Sequence, residues 1–383
     1  MTLLLGAVAF MSLAISAYAH FCLLRKLRQV PAEAPTTPAI SVLKPLRGLD
    51  TGLLENLVAI CRSDYPDFEV IFCAADPNDP ALQVARQAQL LCPERSTRIL
   101  TGDLGSGLNP KIRLLRRMLP HARHDWVLVS DSNVRPDPDY LRALMATQTE
   151  TGAALVHSLL QGVGGRGLGA RLQNLQMNGW VASSIALADA GMHPGVVGKS
   201  MLIERRALAD VGGLEGVQDL LAEDYVLGTR FAERGHRVTL SPHLVPVVGG
   251  PLDLGGFLDR QLRWAQIRRR STGALFLGEL FVQPLPFFMA FAGSGQAEHW
   301  VIAALGMALK WSLDAVSYVR LDREGRRLSI MLLPLKDALS PFIWLVSAFR
   351  TRVSWRGNPL RVGRGSQLAP LHQGPVAALF DRA

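Results

Sequence analysis

Cysteine is scarce in this chain and carries no pattern. Cys22, Cys61, Cys73 and Cys92 are the four thiols in 383 residues, with no CxxC pair and no histidine at zinc-ligand spacing. A disulfide framework and a zinc module are thereby excluded, and the thiols read as buried and free in a reducing compartment. Charge is also thin, 19% of residues against 49% hydrophobic, a balance that excludes a disordered chain. There is no internal repeat and no low-complexity tract. Between Met1 and Leu24 there is no Asp, Glu, Lys or Arg at all.

The charge that is present has a bias. A formal net charge of +9 and a pI near 9.8 would suit nucleic acid, but the arginines gather beside apolar stretches, where they meet anionic lipid headgroups instead. The expected partner is a membrane and not a nucleic acid. The uncharged N-terminal stretch is long enough to cross a ~30 Å hydrocarbon core as a helix. It ends in Arg25-Lys26-Leu27-Arg28, which by the positive-inside bias puts the following domain in the cytoplasm, at a bacterial inner membrane. Ala17-Tyr18-Ala19 resembles a signal-peptidase site, yet the basic n-region is missing and the charges lie on the wrong side, so the segment is read as an uncleaved anchor.

Residues 1–29 are therefore the anchor and the proline-bearing residues 30–39 a stiff linker. From Ile40 the pattern alternates as in an α/β domain. Expected strands are Ile40–Leu43, Glu69–Ala74, Arg98–Leu100, Trp126–Ser130, Ala154–His157, Ser200–Ile203 and Arg237–Leu240, with helices such as Leu53–Arg62, Pro80–Leu91 and Asp139–Thr147 between them. A mostly parallel sheet over residues 40–253 follows. An interfacial helix is expected over 254–271 and a membrane region over 272–349. In that region Gly273–Gly293, broken by Pro284 and Pro286, is re-entrant or interfacial, and His299–Val319 and Ile330–Phe349 span. A basic cytoplasmic tail, 350–383, completes the chain.

Ligands collect at the carboxyl ends of strands in such sheets, and two aspartates fall there. Asp76 follows the second strand, where it can bind a nucleobase or ribose, although Asp-Pro chemistry also starts turns and helices. Asp131 follows Trp126–Ser130 in Asp131-Ser132-Asn133, a D-x-D-like element whose second acid is an amide. A carboxylate there can hold Mg²⁺ or Mn²⁺ against a diphosphate leaving group, or cap a helix. Glu223-Asp224-Tyr225 opens a helix. Acids are favoured in a first turn by the helix dipole alone, but Asp224 or Glu223 is also suited to take the proton of an attacking hydroxyl. Lys111 enters a helix against the dipole preference, which suggests a phosphate ligand. Arg260 and Arg263 share a helix face beside Trp264, and Arg268-Arg269-Arg270 follows: a phosphate-binding, interface-seeking element, or a snorkelling amphipathic helix. Gly162–Gly167 matches a dinucleotide fingerprint with Asp189 downstream, but its mid-domain position favours a flexible loop over the site.

These segments in order, Val42-Leu43-Lys44-Pro45-Leu46-Arg47-Gly48, Asp64-Tyr65-Pro66, Asp76 with Asp79-Pro80, Asn109-Pro110-Lys111, Asp131-Ser132, Val156-His157, Gly198-Lys199-Ser200-Met201, Ala222-Glu223-Asp224-Tyr225 and Arg260-x-x-Arg263-Trp264, resemble the ceramide glucosyltransferase family from about Ser41 to the tail. The resemblance implies a GT-A fold, inverting transfer from UDP-glucose and a ceramide acceptor presented from the bilayer. It implies Asp76 on the UDP base or ribose, Asp131 on metal and diphosphate, Asp224 as base, and Arg260, Arg263 and Trp264 on leaving group and acceptor. Asn133 departs from a strict D-x-D pair. Related bacterial enzymes that glycosylate hopanoids share much of this pattern, so the acceptor alternatives are ceramide and a hopanoid or other lipid, and the alternative of another class is an inactive membrane-lipid-binding relative.

Overall fold

The computed structural model describes residues 1–370, apart from Glu33, Pro35, Leu104, Met192, Thr351, Arg356 and Gly357. Helix α1 (Thr2–Lys26) precedes a domain in chain order β1 (Ile40–Leu46), α2 (Leu53–Cys61), β2 (Phe68–Ala74), α3 (Pro80–Leu91), β3 (Ser96–Thr101), α4 (Pro110–Met118), β4 (Trp126–Ser130) and α5 (Tyr140–Thr151). It continues with β5 (Leu155–Gly164), α6 (Leu168–Leu175), a π-helical turn Gln176–Val181, α7 (Ala182–Ala190), β6 (Ser200–Glu204), α8 (Arg205–Asp210), α9 (Glu223–Glu233) and β7 (Val238–Gly249). All seven expected strands form, and all but β4 run beyond the expected bounds.

The sheet order is β3-β2-β1-β4-β6-β5-β7, parallel except for β6, which is antiparallel to both neighbours. Every residue of β1 is buried. Its side chains alternate between two cores, Ile40, Val42 and Leu46 joining one and Leu43 the other, as a strand covered on both faces requires. The order reverses where β1 meets β4, and this is where open α/β sheets leave a crevice beyond the strand ends. The four cysteines are buried and free; burial pushes Cys61 up to about 12 and Cys73 up to about 11.

Helix α10 (Leu254–Thr272) follows, then a 3-10 segment Gly273–Val282, α11 (Leu285–Ala292), α12 (Ala297–Leu321) and α13 (Leu333–Phe349). Among the described residues three stretches are long and apolar enough to cross a membrane, Thr2–Lys26, Ala297–Leu321 and Arg327–Phe349, and the pair Leu254–Val282 with Leu285–Ala292, bent by 56°, is a fourth candidate. Ala9 and Leu13 of α1 pack with Phe288 and Ala292 of α11 and Ala303 and Met307 of α12, so these ends lie together away from the sheet. The other ends return to it. Lys26 pairs with Asp189 at 2.8 Å, and beyond α12 Arg323 pairs with Asp137 (2.8 and 2.5 Å) while Arg326 Nη1 donates to the carbonyls of Gly164 and Gly165.

After α13 the chain comes back to the same domain. Strands β8 (Arg352–Trp355), β9 (Asn358–Val362) and β10 (Leu368–Pro370) form an antiparallel sheet, and its last part docks on the segment before α9, with Leu221 N donating to Ser366 O at 2.9 Å and Leu368 N to Asp219 O at 2.7 Å. The basic tail expected over 350–383 is thus folded structure as far as Pro370, because Leu360, Val362 and Leu368 bury themselves against Leu221; Arg356 and residues 371–383 lie outside the described residues. The Gly162–Gly167 run is not a loop over the site either. Gly162–Gly164 pair with Val247–Gly249 as the end of β5. Asp189 lies on α7, where it accepts from Leu240 N at 2.9 Å besides pairing with Lys26, and both contacts remove the dinucleotide reading.

Where α1, α12 and α13 meet, charge is buried against charge. Lys310 contacts Asp314 (2.6 Å) and Asp337 (2.5 Å), Lys336 contacts Asp337 (3.0 Å) and Asp314 (3.3 Å), and His20 bridges Asp314 (2.9 Å) and Ser317 (2.7 Å). Two ammoniums against two carboxylates leave no net charge among helices otherwise suited to lipid. Asp337→Leu strands a lysine and should destabilise the protein by roughly 3–5 kcal/mol. Lys336→Met with Asp337→Leu should recover part of that loss in thermal melts in detergent. A double variant as unstable as the single one would show that the helices do not depend on charge balance.

Candidate functional site

Beyond the carboxyl end of β4, at the β1–β4 reversal, five charged side chains converge. Asp131 emerges from an apolar strand and each of its oxygens meets a lysine: Lys111 Nζ lies 3.0 Å from Oδ1 and Lys199 Nζ 3.0 Å from Oδ2. Lys199 also donates to Asn133 Oδ1 at 3.2 Å. Lys111 reaches on to Glu223 Oε1 at 3.4 Å and donates to Gly198 O at 2.6 Å. Burial alone would raise the Asp131 carboxyl, but the two lysines outweigh it and hold it well below the usual carboxylate range.

Local sequence explains the placement. Asn109 caps α4, its Oδ1 accepting from Lys111 N and Ile112 N, while its Nδ2 donates to Glu223 Oε2 at 3.1 Å; one side chain therefore sets both the lysine and the acid. Asp224 Oδ2 accepts from Gly198 N at 2.6 Å and its Oδ1 from Tyr225 N at 2.8 Å. A Cβ on Gly198 would sit 2.9 Å from Asp224 Oδ2 and 3.1 Å from Lys111 Nζ, so only glycine lets the backbone pass between them. Beneath the cluster Lys44, fully buried in β1, donates to Asp131 O (2.8 Å), Val134 O (3.1 Å) and Ser130 Oγ (3.3 Å). Burial pulls its ammonium down to about 7.

These groups line a cavity of about 660 Å³ that also has a large apolar wall: Met177 and Trp180 on the π-helical turn, Ile185 and Ala188 on α7, and Trp264 and Ile267 on α10. Lys111, Asp131, Glu223, Asp224, Arg263 and Trp264 are thus brought together. Two expected residues are not among the lining side chains. Asp76 is exposed after β2, where its Oδ1 accepts from Asn78 N, and Arg260 lies half-buried on α10. The basic run Arg268–Arg270 is only partly a lipid-facing surface, since Arg268 pairs with Glu279 at 2.7 Å and lies over the Trp180 ring.

Sequence reasoning left Lys44 and Lys199 without roles. A lone lysine inside the apolar run Ile40–Leu46 was the available signal for the first. For the second there was only its place directly before β6. The Mg²⁺ or Mn²⁺ expected on Asp131 meets an obstacle in the donor set: both carboxylate oxygens and the Asn133 amide oxygen already accept from ammoniums. These residues do not fit a resident cation. Elsewhere Asp137, Asp139 and His243 bring three ligand atoms within 4.8 Å of one another, but Asp137 is held by Arg323 through both oxygens and the group is not part of the cavity lining.

A model of glycosyl transferase family 21 matches residues 4–368. Ceramide glucosyltransferase 3 of Caenorhabditis elegans is 25% identical over 355 residues, covering 90% of this chain and 77% of that protein. Ceramide glucosyltransferase 1 of the same organism is 26% identical over 366 residues, covering 91% and 77%. Among solved structures, the mannosyltransferase PcManGT from Pyrobaculum calidifontis, in complex with GDP-Man and Mn²⁺, is similar with a TM-score of 0.53 at 18% identity, over 88% of this chain and 99% of that one. That likeness shows a GT-A-like fold.

Burial is the leading cause that pushes the Glu223 carboxyl up to about 7; Lys111 opposes it and Asp224 adds to it. A carboxyl raised on folding binds its proton more tightly in the native state, so stability falls as pH rises from the unfolded value near 4.5 through about 7. Glu223→Gln removes that dependence. Its melting temperature relative to the parent protein should therefore be higher at pH 8 than at pH 5. A difference that stays flat or reverses between those pH values would remove the buried-acid assignment.

Proposed function

The chain belongs to glycosyl transferase family 21, and we propose that it moves glucose from UDP-glucose to the primary hydroxyl of ceramide, with inversion, at the cytoplasmic membrane face. The observation that carries this reading is the cavity itself, in which a cation-carboxylate cluster suited to a diphosphate shares one space with an apolar wall suited to a lipid. The relatives' names supply ceramide and glucose.

In this reading Asp224, oriented by two backbone N–H donors, accepts the proton of the ceramide hydroxyl as its oxygen attacks the anomeric carbon. The glycosidic bond to the diphosphate breaks on the opposite face and its electron pair leaves with UDP. Glu223 has a different task, because its oxygens are turned to Lys111 and Asn109. Lys111 and Asp131 belong to the donor side. Asp76, exposed beyond β2 and outside the cavity lining, is left to the nucleoside, and Arg260, with Arg263 and Trp264, to the leaving group and acceptor, as the resemblance implies. Trp264, packed against the domain core, forms the acceptor side of the cavity. A divalent ion on Asp131 would have to displace two ammoniums.

The arrangement of the helices supports an orientation. In this reading α1, the segment Gly273–Val282 with α11, and α12 cross the membrane, while α10 stays on the catalytic domain. α13 starts and ends beside the catalytic domain and lies along its membrane face. All the basic segments, Arg25–Arg28, Arg260–Arg270 and Arg320–Arg327, then fall on the catalytic side, which agrees with the positive-inside bias better than crossings by α12 and α13 do.

Purified protein given UDP-glucose and short-chain ceramide should release UDP and form a hexosyl-ceramide detectable by mass spectrometry; UDP release with a hopanoid product in its place would move the acceptor. Asp224→Asn should lower turnover roughly 10²- to 10⁴-fold while UDP binding is retained, and full turnover in that variant would remove the base assignment. Trp264→Ala should lower transfer to ceramide more than slow hydrolysis of the donor. Equal losses in both reactions would place Trp264 with the leaving group.

A further inference from the structure

Both oxygens of Asp131 and the amide oxygen of Asn133 face lysine ammoniums, and the carboxylates around them do not add up to a cation site. Lys111 and Lys199 balance two of the three acids of the cluster, and a metal arriving at Asp131 would face two like charges at 3.0 Å from its intended ligand. Both lysines line the cavity and are partly exposed to it, with side-chain exposures of 17% and 21%. Their contacts are to backbone, to the Asn133 amide and to these acids.

We propose that Lys199, together with Lys111, is the electrophilic clamp for the diphosphate, so that transfer proceeds without a divalent cation. Asp131 acts as the holder of the clamp: it fixes two ammoniums side by side, and its carbonyl and the turn that follows are themselves anchored by Lys44. When the bond between the anomeric carbon and the diphosphate oxygen breaks, the electron pair goes to that oxygen, and the new negative charge is met by two ammoniums already in place. Asp224 receives the proton of the attacking hydroxyl, so atoms and charge balance without a co-reactant. A compact, desolvated pair of cations preorganised by a carboxylate needs no reorganisation at the moment of reaction, and this is what makes fixed charge effective there. Asn133 in place of a second acid suits this arrangement, since an amide oxygen accepts from Lys199 without adding a negative charge beside the diphosphate.

The inference rests on the glycosyltransferase reading but does not depend on the acceptor. Its test uses full-length protein in detergent, with UDP binding by calorimetry and UDP release from UDP-glucose, each in EDTA and in Mn²⁺ or Mg²⁺. UDP affinity and UDP release in EDTA should stay within about twofold of the values with metal. Lys199→Met should weaken UDP binding and lower kcat/KM for the donor on the order of 10²-fold, and Lys199→Arg should restore part of the loss with an unchanged melting temperature. Chelation that abolishes UDP binding, with recovery on adding Mn²⁺, would overturn the proposal, as would full donor kinetics in Lys199→Met. UDP binding that is metal-independent and lysine-dependent, with no ceramide product, would keep the clamp and reject the acceptor.

Discussion

The contact on which the site depends is the double ion pair at Asp131. A carboxylate at the end of a buried parallel strand is costly unless it is paired. Here the partners arrive from two sequence-distant segments, Lys111 at the start of α4 and Lys199 before β6. The backbone is tied in as well, since Asp131 N donates to Lys199 O at 3.2 Å. Beneath lies Lys44, one residue beyond the last β1–β4 pair, Leu43 with Val129. The pairing register of two strands thus puts a buried ammonium under the turn that presents Asp131. Disturbing the register would move the carboxylate, the lysines and Asp224 together, because Gly198 and Lys111 are shared by both halves of the cluster.

The segment before Asp224 is braced from an unexpected direction. Leu221 and Ala222 receive backbone and side-chain contacts from Ser366, and Leu221 packs with Leu360, Val362 and Leu368. The chain that has passed through the apolar helices therefore returns to hold the residues leading into α9. The helices themselves obey the same rule as the site: charge is tolerated where it is matched within reach. Lys310, Asp314, Lys336 and Asp337 neutralise one another, and Lys26 reaches from α1 to Asp189 on α7. Membrane part and catalytic part are thus fastened to each other by the Lys26–Asp189 pair, not merely linked by the chain.

Much of this was legible in the sequence, and the limits have physical causes. The central strands β1, β2, β4 and β6 declared themselves because both-face burial demands continuous apolar runs, and Asp131 stood out as a carboxylate ending one of them. Pairing direction was not legible: nothing in Ser200–Glu204 marks β6 as antiparallel. Lys199 has no local pattern, since its role depends on a strand neighbour it meets only in the folded sheet. Gly162–Gly167 misled because a glycine run after a strand serves equally to let β5 pair with β7 as far as Gly249 and to turn into α6. The docking of residues 358–370 was hidden by their basic character, which masks three apolar residues spaced to meet Leu221.

A cavity with both a charged and an apolar lining also constrains where its cations come from. Basic residues at a membrane surface are hydrated, screened within about 8 Å at physiological salt and free to move among headgroups. Such charges stabilise a leaving group poorly, because they reorganise as it forms. Arg268 is withdrawn from that pool by Glu279 and Trp180, and Lys111 and Lys199 are fixed by acids inside the domain. On the proposed reading, with an acceptor from lipid and a donor from water, these populations have to be kept apart: mobile cations at the surface to hold the membrane, immobile ones within to meet the diphosphate. Along α10, Arg263 and Trp264 face the cavity while Arg269 and Arg270 lie in the last turn of the same helix, so that one element carries both the cavity wall and the basic run.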